Sequence, residues 1–326
     1  MASSIMCPPP SDGICSNATW NRKGLTRAGG HGQGSALNQL GGVIQGLFVD
    51  DDLTVYVSDS YNNRVVKWMI GDLSGRIVAG GNENGDANNQ LAYVESIVIA
   101  KNGTMFICDR WNQRVQRLLK DESQGETIIS DILCGGMALD NEGSLYIVTD
   151  REERVLKWPG NQTVAGGNGQ GSALNQLSNP LDLFVDSDHS VYVVDFSNNR
   201  IVKWPVDAKE GIIVAGGNQA GNSTSQLDQP SSVVVDKMGT IYVLEIGNSR
   251  IVRWFKNAKV GIIIVGGNGP GDASDQLSWP KSLTIDRHGN LYVADSDNHR
   301  VQMFTIDKSS CSTGMLRYFN LISISI

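Results

Sequence analysis

The chain has 326 residues, of which 40% are hydrophobic and 37 are glycine, a composition typical of a folded protein rich in turns rather than of a disordered one. Its formal net charge of −7 disfavours sequence-independent binding to nucleic acids, because an acidic surface repels phosphate backbones. The sequence has no run of about 18 apolar residues, so it predicts no membrane-spanning helix.

The first predicted strand, residues 25–30, stands ahead of a series of repeats. Its sequence matches the last strand of the other repeats, whereas the final repeat ends after Phe304 without such a strand. We predict that this N-terminal strand pairs with the final repeat and closes the fold, because the pairing removes an open sheet edge.

The repeats are marked by a pattern at residues 55–68 that contains an aromatic residue, an aspartate, an asparagine and an arginine at fixed spacing. Each copy is one structural unit, so the repeats determine the architecture. The arginine recurs at Arg64, Arg114, Arg154, Arg200, Arg250 and Arg300. A Gly-Gly-Asn loop or a close variant separates most copies and leads to a Gln-Leu pair at Leu40, Leu91, Leu177, Leu227 and Leu277.

Between these landmarks, short stretches of alternating β-branched and aromatic residues are typical of strands. Four strands fit each repeat; in the fourth repeat they are predicted near residues 183–186, 190–194, 200–204 and 211–215. Four short antiparallel strands make one propeller blade. We therefore predict an all-β fold, a six-bladed β-propeller at residues 19–308, with an N-terminal tail at 1–18 and a C-terminal tail at 309–326.

The second and third repeats depart from this pattern. No Gly-Gly-Asn loop separates Ile129 from Gly135. The third repeat also carries Thr149 where aspartate is expected and Glu152 where asparagine is expected. We predict that the missing loop leaves a notch in the rim of the ring.

The signature Tyr-Val-x-Asp-x-x-Asn-x-Arg-Val, seen at residues 292–301 and with a final isoleucine at 192–201, resembles the NHL repeat. The resemblance covers nearly the whole chain. WD repeats have a shorter period and sequence marks that are absent here, and kelch repeats place their aromatic residues differently. The resemblance implies a six-bladed propeller but leaves function open, because NHL propellers include protein-binding, RNA-binding, extracellular sensor and lyase members.

We predict a non-catalytic binding or scaffold propeller that recognises a protein or small-molecule ligand on its loop-bearing rim, without a cofactor. The alternative is a lyase or hydrolase with a site in the central channel. Lyase members of the family hold a metal with histidines, but the four histidines here lie in loops and turns, so we predict no catalytic residue and no metal site. An RNA-binding module is third, since RNA-binding members rely on a basic face. The chain is predicted to be monomeric.

The binding prediction rests on the two variable positions inside each Asp-x-x-Asn-x-Arg loop. Several of them carry large side chains that a turn does not need, and aromatic and arginine side chains are enriched at binding hot spots. The alternative is that each ring packs on the neighbouring blade. The predicted partner-binding residues are Tyr61, Arg110, Trp111, Arg151, Phe196 and Ile246.

The aspartate and arginine of each signature are predicted to brace the turn rather than to form a site, because polar side chains at turns bond the backbone first. These pairs are Asp59 with Arg64, Asp109 with Arg114, Asp195 with Arg200, and Asp295 with Arg300.

The five cysteines contain no Cys-x-x-Cys pair, which argues against a zinc site. Ring closure brings Cys7 or Cys15 close to Cys311, and Cys108 and Cys134 belong to neighbouring blades. Two disulfides would suit an oxidising compartment, so the cysteines favour an extracellular location.

Overall fold

The computed structural model describes residues 14–311, and within them six four-stranded antiparallel sheets form a ring. Two strands precede the first blade, β1 (Thr19–Trp20) and β2 (Leu25–Gly29). The first three blades contain β3 (Ile44–Val49), β4 (Val55–Asp59), β5 (Arg64–Trp68), β6 (Arg76–Gly80), β7 (Val94–Ile99), β8 (Met105–Asp109), β9 (Arg114–Leu118), β10 (Glu126–Ser130), β11 (Cys134–Leu139), β12 (Leu145–Thr149), β13 (Arg154–Trp158) and β14 (Gln162–Gly166). The last three blades contain β15 (Pro180–Val185), β16 (Val191–Asp195), β17 (Arg200–Trp204), β18 (Ile212–Gly216), β19 (Pro230–Val235), β20 (Ile241–Glu245), β21 (Arg250–Trp254), β22 (Ile262–Gly266), β23 (Pro280–Ile285), β24 (Leu291–Asp295) and β25 (Arg300–Phe304).

The chain is a six-bladed β-propeller, as predicted. The third strand of the fourth blade has the predicted bounds, but its first strand, β15, begins three residues before the predicted start of 183. A shift of register between Pro180 and Leu183 explains the difference, because it interrupts the alternation from which the start was predicted. The first strands of the other blades carry the same kind of irregularity.

The N-terminal strand closes the ring, as the sequence predicted. Strand β2 pairs antiparallel with β25, with Leu25 opposite Met303 and Gly29 opposite Arg300, so it supplies the fourth strand of the sixth blade. A final short strand, β26 (Ile306–Asp307), pairs with β1. A disulfide between Cys15 and Cys311 joins the two ends beside these pairings.

The core lies between neighbouring blades. One of its clusters combines Tyr192 and Val194 of the fourth blade with Val243 and Trp254 of the fifth. Tyr192 is the repeated aromatic of the signature, and its burial at 5% exposure shows why the slot needs a large ring. The signature aromatics therefore serve blade packing.

The two rims of the ring carry different connections. The loop rim, as we call it, carries the loops from second to third strands, at residues 60–63, 110–113, 150–153, 196–199, 246–249 and 296–299. Four of these loops contain a 3-10 turn: Ser60–Asn62, Arg110–Asn112, Phe196–Asn198 and Ser296–Asn298. A fifth 3-10 turn, Ser309–Cys311, ends the described chain. The opposite, or turn, rim carries the hairpin turns between first and second strands.

A repeated hydrogen-bond network ties each loop to the long connection from the preceding blade. In the fourth blade, the buried Asp195 carboxylate accepts hydrogen bonds from Arg200 Nε at 2.6 Å and from the N–H of Ser178 at 2.8 Å. Arg200 Nη1 also donates to the carbonyl oxygen of Ser172 at 2.7 Å. Within the described chain this brace occurs at Asp59–Arg64, Asp109–Arg114, Asp195–Arg200, Glu245–Arg250 and Asp295–Arg300.

No helix within residues 14–311 is both long enough and apolar enough to cross a membrane.

Candidate functional site

A cavity of about 370 Å³ opens on the loop rim and is lined by residues of the first four blades. It lies beside the shortened connection from Ser130 to Cys134. It shares Gln45 and Glu95 with a larger cavity of about 620 Å³ that runs along the central channel. We call the smaller cavity the mouth site and define it by Gln45, Tyr61, Tyr93, Glu95, Arg110, Trp111 and Asp150.

Three aromatic rings form one wall of the mouth site. Tyr61 and Trp111 occupy the same loop position in the first and second blades, and Tyr93, the residue before β7, lies between them. The rings of Tyr93 and Trp111 stack with their centroids 4.7 Å apart, and the ring of Tyr61 is 5.9 Å from that of Tyr93. Tyr61 is 57% exposed and Trp111 is 61% exposed, so the outer faces of this row remain open to solvent.

Tyr93 holds its place with a left-handed backbone, at φ 54°. A bulky residue rarely adopts this conformation, which costs about 1–3 kcal/mol. Gln229 and Trp279, at the corresponding positions of the fifth and sixth blades, also have positive φ, so the conformation belongs to the repeat. Asn179 occupies the corresponding position of the fourth blade, also with positive φ, and asparagine tolerates that conformation much better.

A polar network forms the second wall. Gln45 Nε2 donates to the hydroxyl of Tyr93 at 3.2 Å and to Glu95 Oε2 at 3.4 Å. Arg110 connects this group to the third blade, since its guanidinium donates to the carbonyl oxygen of Cys134 at 2.7 Å and forms an ion pair with Asp150. Arg110 Nε lies 3.9 Å from Glu95 Oε2, outside hydrogen-bond distance.

Two carboxylate oxygens in this network are poorly supplied with hydrogen-bond donors. Asp150 Oδ1 is buried and has no hydrogen-bond partner within the described part of the chain. Glu95 Oε2 has only the long contact from Gln45, and the side chain is 19% exposed. Burial raises the pKa of Glu95 to about 7, although the guanidinium of Arg110 opposes this shift. Burial also raises the pKa of Tyr93.

The central channel changes character along its length. Near the mouth site the first strands present polar side chains, including Glu95, Asp182 and Lys281, and burial lowers the pKa of Lys281. Asp182 accepts a hydrogen bond of 2.6 Å from the hydroxyl of Ser232, and burial raises its pKa to about 6. Further along, apolar residues such as Phe48 line the cavity.

The predicted binding residues divide into two groups. Tyr61, Arg110 and Trp111 come together at the mouth site. Arg151 is exposed on the third-blade loop but does not line the cavity, and Phe196 is half-buried on the fourth blade. Ile246 is 6% exposed, so it offers almost no surface to a partner.

Four residues of the mouth site were not predicted from the sequence. Gln45 and Glu95 occupy the second position of a first strand, where a charged or amide side chain is unexpected in a buried strand and was a signal that could have been used. Tyr93 lies just outside the repeated loop pattern. Asp150 occupies a variable loop position but belongs to a residue type depleted at interfaces.

Two disulfides, Cys15–Cys311 and Cys108–Cys134, confirm the cysteine predictions. Cys7, the alternative partner of Cys311, lies outside the described residues. The second disulfide joins β8 to the start of β11 and therefore crosses the shortened connection beside the mouth site.

On the turn rim, three potential metal ligands lie as close together as the ligands of a metal ion would. Ligand atoms of Asp140, Glu142 and His189 lie within 4.8 Å of one another. From the sequence we predicted no metal ligand and assigned His189 to a hairpin turn. The ammonium of Lys157, 3.2 Å from Asp140 Oδ2, already supplies a positive charge to the same carboxylate and would compete with a cation.

Residues 277–304 match the NHL repeat family model. The chain is a six-bladed β-propeller that is similar to the NHL repeat family over these residues. No curated protein matches the sequence.

Solved structures of low sequence identity share its fold. An auxiliary nutrient binding protein from Bacteroides thetaiotaomicron is 14% identical, with a TM-score of 0.66 over 89% of this chain and 76% of the other. A catalytically inactive virginiamycin B lyase from Staphylococcus aureus with quinupristin is 12% identical, with a TM-score of 0.57 over 89% of this chain and 99% of the other. A gluconolactonase from Xanthomonas campestris is 11% identical, with a TM-score of 0.60 over 83% and 89%.

Proposed function

We propose that this propeller is a non-catalytic recognition module and that it binds its ligand or protein partner at the mouth site. The observation that carries the proposal is the row of Tyr61, Tyr93 and Trp111, two of which are more than half exposed, beside a cavity with one unpaired carboxylate oxygen, Asp150 Oδ1. Ligand sites combine apolar or aromatic walls with a few convergent polar groups in this way.

The alternative explanation, that the rings only pack on the neighbouring blade, accounts for Tyr93 better than for its neighbours. Tyr93 is covered by Trp111 on one side, but Trp111 itself leaves 61% of its surface in solvent. A ring that served packing alone would gain most from full burial, because the stabilisation grows with the apolar area removed from water. An exposed row of this kind is typical of a contact surface.

A fragment screen tests this function, because it does not require an identified ligand. Ligand-observed fluorine NMR on the intact chain is expected to yield fragments that bind the native protein and lose binding in Trp111→Ala. Leu73→Ala is the matched control, because Leu73 is 90% exposed on the turn after β5, on the opposite rim. Hits that bind Trp111→Ala and Tyr61→Ala as well as the native protein would contradict the proposal.

A partner surface that extends beyond the mouth site would include Arg151 and Phe196. Arg151 is one residue from Asp150, and Phe196 occupies the first variable loop position of the next blade. In a pull-down with the intact ring as bait, Trp111→Ala is expected to lose the partner. Loss in Phe196→Ala as well would extend the surface to the fourth blade, whereas capture that survives both substitutions would place the binding face elsewhere.

We infer that the protein works in an oxidising compartment, outside the cell or in an equivalent lumen. Two disulfides support this location, since they persist under oxidising conditions. Thiol counting on denatured protein made under oxidising conditions is expected to find about one free cysteine, Cys7, and five free thiols would contradict the inference.

An enzymatic function is the second candidate, and the group of Asp140, Glu142 and His189 is the observation in its favour. Similarity of fold to a lyase and a gluconolactonase is compatible with it but does not identify a reaction. Stoichiometric binding of zinc or calcium that disappears in His189→Ala would favour this candidate. Absence of binding by titration calorimetry would remove this observation in favour of an enzyme.

A further inference from the structure

We infer that the mouth site takes an organic cation, an ammonium or guanidinium group carried on a short alkyl chain. The inference rests on the proposed function and goes further by assigning the chemical class of the ligand. Two features of the mouth site carry it, the balance of hydrogen-bond donors and acceptors and the exposed faces of the aromatic row.

The mouth site has hydrogen-bond acceptors without a good partner, whereas its main hydrogen-bond donors already have partners. Arg110 donates to the carbonyl oxygen of Cys134 and to Asp150, and the amide N–H groups of Gln45 donate to Tyr93 and Glu95. The buried Asp150 Oδ1 has no donor within residues 14–311. A ligand that fits must therefore bring donors, and ammonium and guanidinium groups are donors only.

Charge favours the same class of ligand. Arg110 forms a close ion pair with Asp150 and a longer one of 3.9 Å with Glu95, so one guanidinium serves two carboxylates. Lys281, the next nearest basic residue, faces the channel and places its ammonium 5.0 Å from the ring centroid of Trp279. No ion pair within 4.0 Å involves Lys281 in the described part of the chain, but its charge attracts the Glu95 carboxylate from further away and opposes the rise in the pKa of Glu95. The net charge of −7 adds a long-range attraction for cations.

The aromatic wall supplies the second contact. A cation is attracted to the face of a tryptophan or tyrosine ring, and the attraction is largest where water is excluded. Stacking occupies one face of Trp111 and leaves the other exposed, and Tyr61 is open as well. A cation held by Glu95 and Asp150 would rest its alkyl chain against these rings.

Ligand binding should also be coupled to pH. Glu95 is ionised only in part near neutrality, and a bound cation would favour the ionised carboxylate. The other charged or titratable groups near it are Tyr93, Arg110, Asp150 and Lys281. Affinity for a cation is therefore expected to rise between about pH 6 and pH 8 as Glu95 loses its proton.

The test is titration of the intact protein with n-butylammonium, n-butylguanidinium and the neutral 1-butanol. Both cations are expected to bind about tenfold or more tightly than 1-butanol, and Glu95→Gln is expected to remove about that advantage and flatten the pH profile. Trp111→Ala should weaken all three probes. Leu73→Ala serves again as the control for folding and for non-specific contact.

The cation could come from a basic side chain of a protein or from a free amine, and Nα-acetyl-lysine methylamide separates the two sources. Binding as tight as that of n-butylammonium would indicate a protein side chain, and exclusion of the capped lysine would indicate a free amine. Cations that bind no more tightly than 1-butanol would overturn the inference. If 1-butanol still depended on Trp111 in that case, the proposed function would survive without the cation.

Discussion

The loops of the third and fourth blades occupy the same place in the fold but use their polar residues differently. In the fourth blade, Asp195 and Arg200 satisfy each other and the connection from the preceding blade. In the third blade, Thr149 replaces the aspartate, and its hydroxyl is buried without a partner among the described residues. Arg154 donates only to the hydroxyl of Thr163 at the surface, within the part of the chain that the structure describes.

The third blade lacks the brace for two reasons, the replacement of the aspartate and a shortened connection. The brace forms by hydrogen bonds to the long connection from the preceding blade. The connection that enters the third blade is shortened to the residues between Ser130 and Cys134. Without it, Asp150 turns to Arg110 of the second blade, and the Cys108–Cys134 disulfide joins the two blades. Asp150, which belongs to no brace, lines the mouth site together with Arg110, which is why we place recognition at this side of the ring.

The largest expected effect concerns the braced side. Asp195→Ala leaves the buried guanidinium of Arg200 without its carboxylate and should lower the free energy of unfolding by about 3–5 kcal/mol. Thr149→Val, the matched change in the third blade, removes an unpaired buried hydroxyl and should change it by less than about 1 kcal/mol. Urea denaturation measures both. Equal losses of unfolding free energy would show that the loops of the third and fourth blades are stabilised in the same way.

The disulfide beside the mouth site should contribute almost as much. Cys108 and Cys134 are 26 residues apart, and closing a loop of this size in the unfolded chain is worth about 3 kcal/mol. The double variant C108A/C134A is therefore expected to unfold at lower urea concentration by this amount, and to bind cations less tightly because Arg110 loses a fixed carbonyl partner. Unchanged stability would mean that the shortened connection keeps its structure without the disulfide.

Glu95 predicts a pH dependence of stability that extends to neutral pH. Its folded pKa of about 7 lies above the ordinary value of 4.5, so the folded state keeps its proton over a range where the unfolded state loses it. This contribution to the free energy of unfolding is about 2 kcal/mol, after allowance for solvent in the cavity. It is fully present below about pH 4.5 and is lost as the pH rises through 7. In the Glu95→Gln variant, the free energy of unfolding should not show this decrease between pH 4.5 and pH 7. A native profile identical to that of the variant would contradict the assignment.

The smallest effect on stability is expected at Tyr93. Tyr93→Asn installs the residue found at the corresponding position of the fourth blade, where asparagine accepts the left-handed backbone. Relief of strain offsets the lost stacking with Trp111, so stability should change by less than about 1 kcal/mol. Binding of n-butylammonium should nevertheless weaken. A loss of stability of several kcal/mol with binding intact would show that the ring serves packing.

The sequence was sufficient for the fold because repetition is a strong signal. Six copies of one pattern predicted the blade, its four strands and the closure by β2, and local turn chemistry predicted the Asp–Arg braces. The start of the first strand in the fourth blade was displaced, since a register shift of the Pro180–Leu183 kind leaves no mark in the alternation of residues.

The mouth site was only partly predictable. Tyr61, Arg110 and Trp111 could be named because they break the loop pattern with large side chains. Glu95 could not, because its role depends on which side of β7 faces the channel and on how far the neighbouring connection recedes. These are properties of the closed ring, and no single repeat contains them.

The most direct test of recognition at the mouth site is to map n-butylammonium on the protein by backbone amide chemical-shift perturbation. We expect the largest shifts at residues 91–113 and 131–153, with none beyond the noise in the braced loop at 196–199. The Glu95→Gln variant should lose these shifts at the same ligand concentration. Shifts concentrated at 196–199, at 246–249 or on the turn rim would contradict the conclusion that recognition resides at the mouth site.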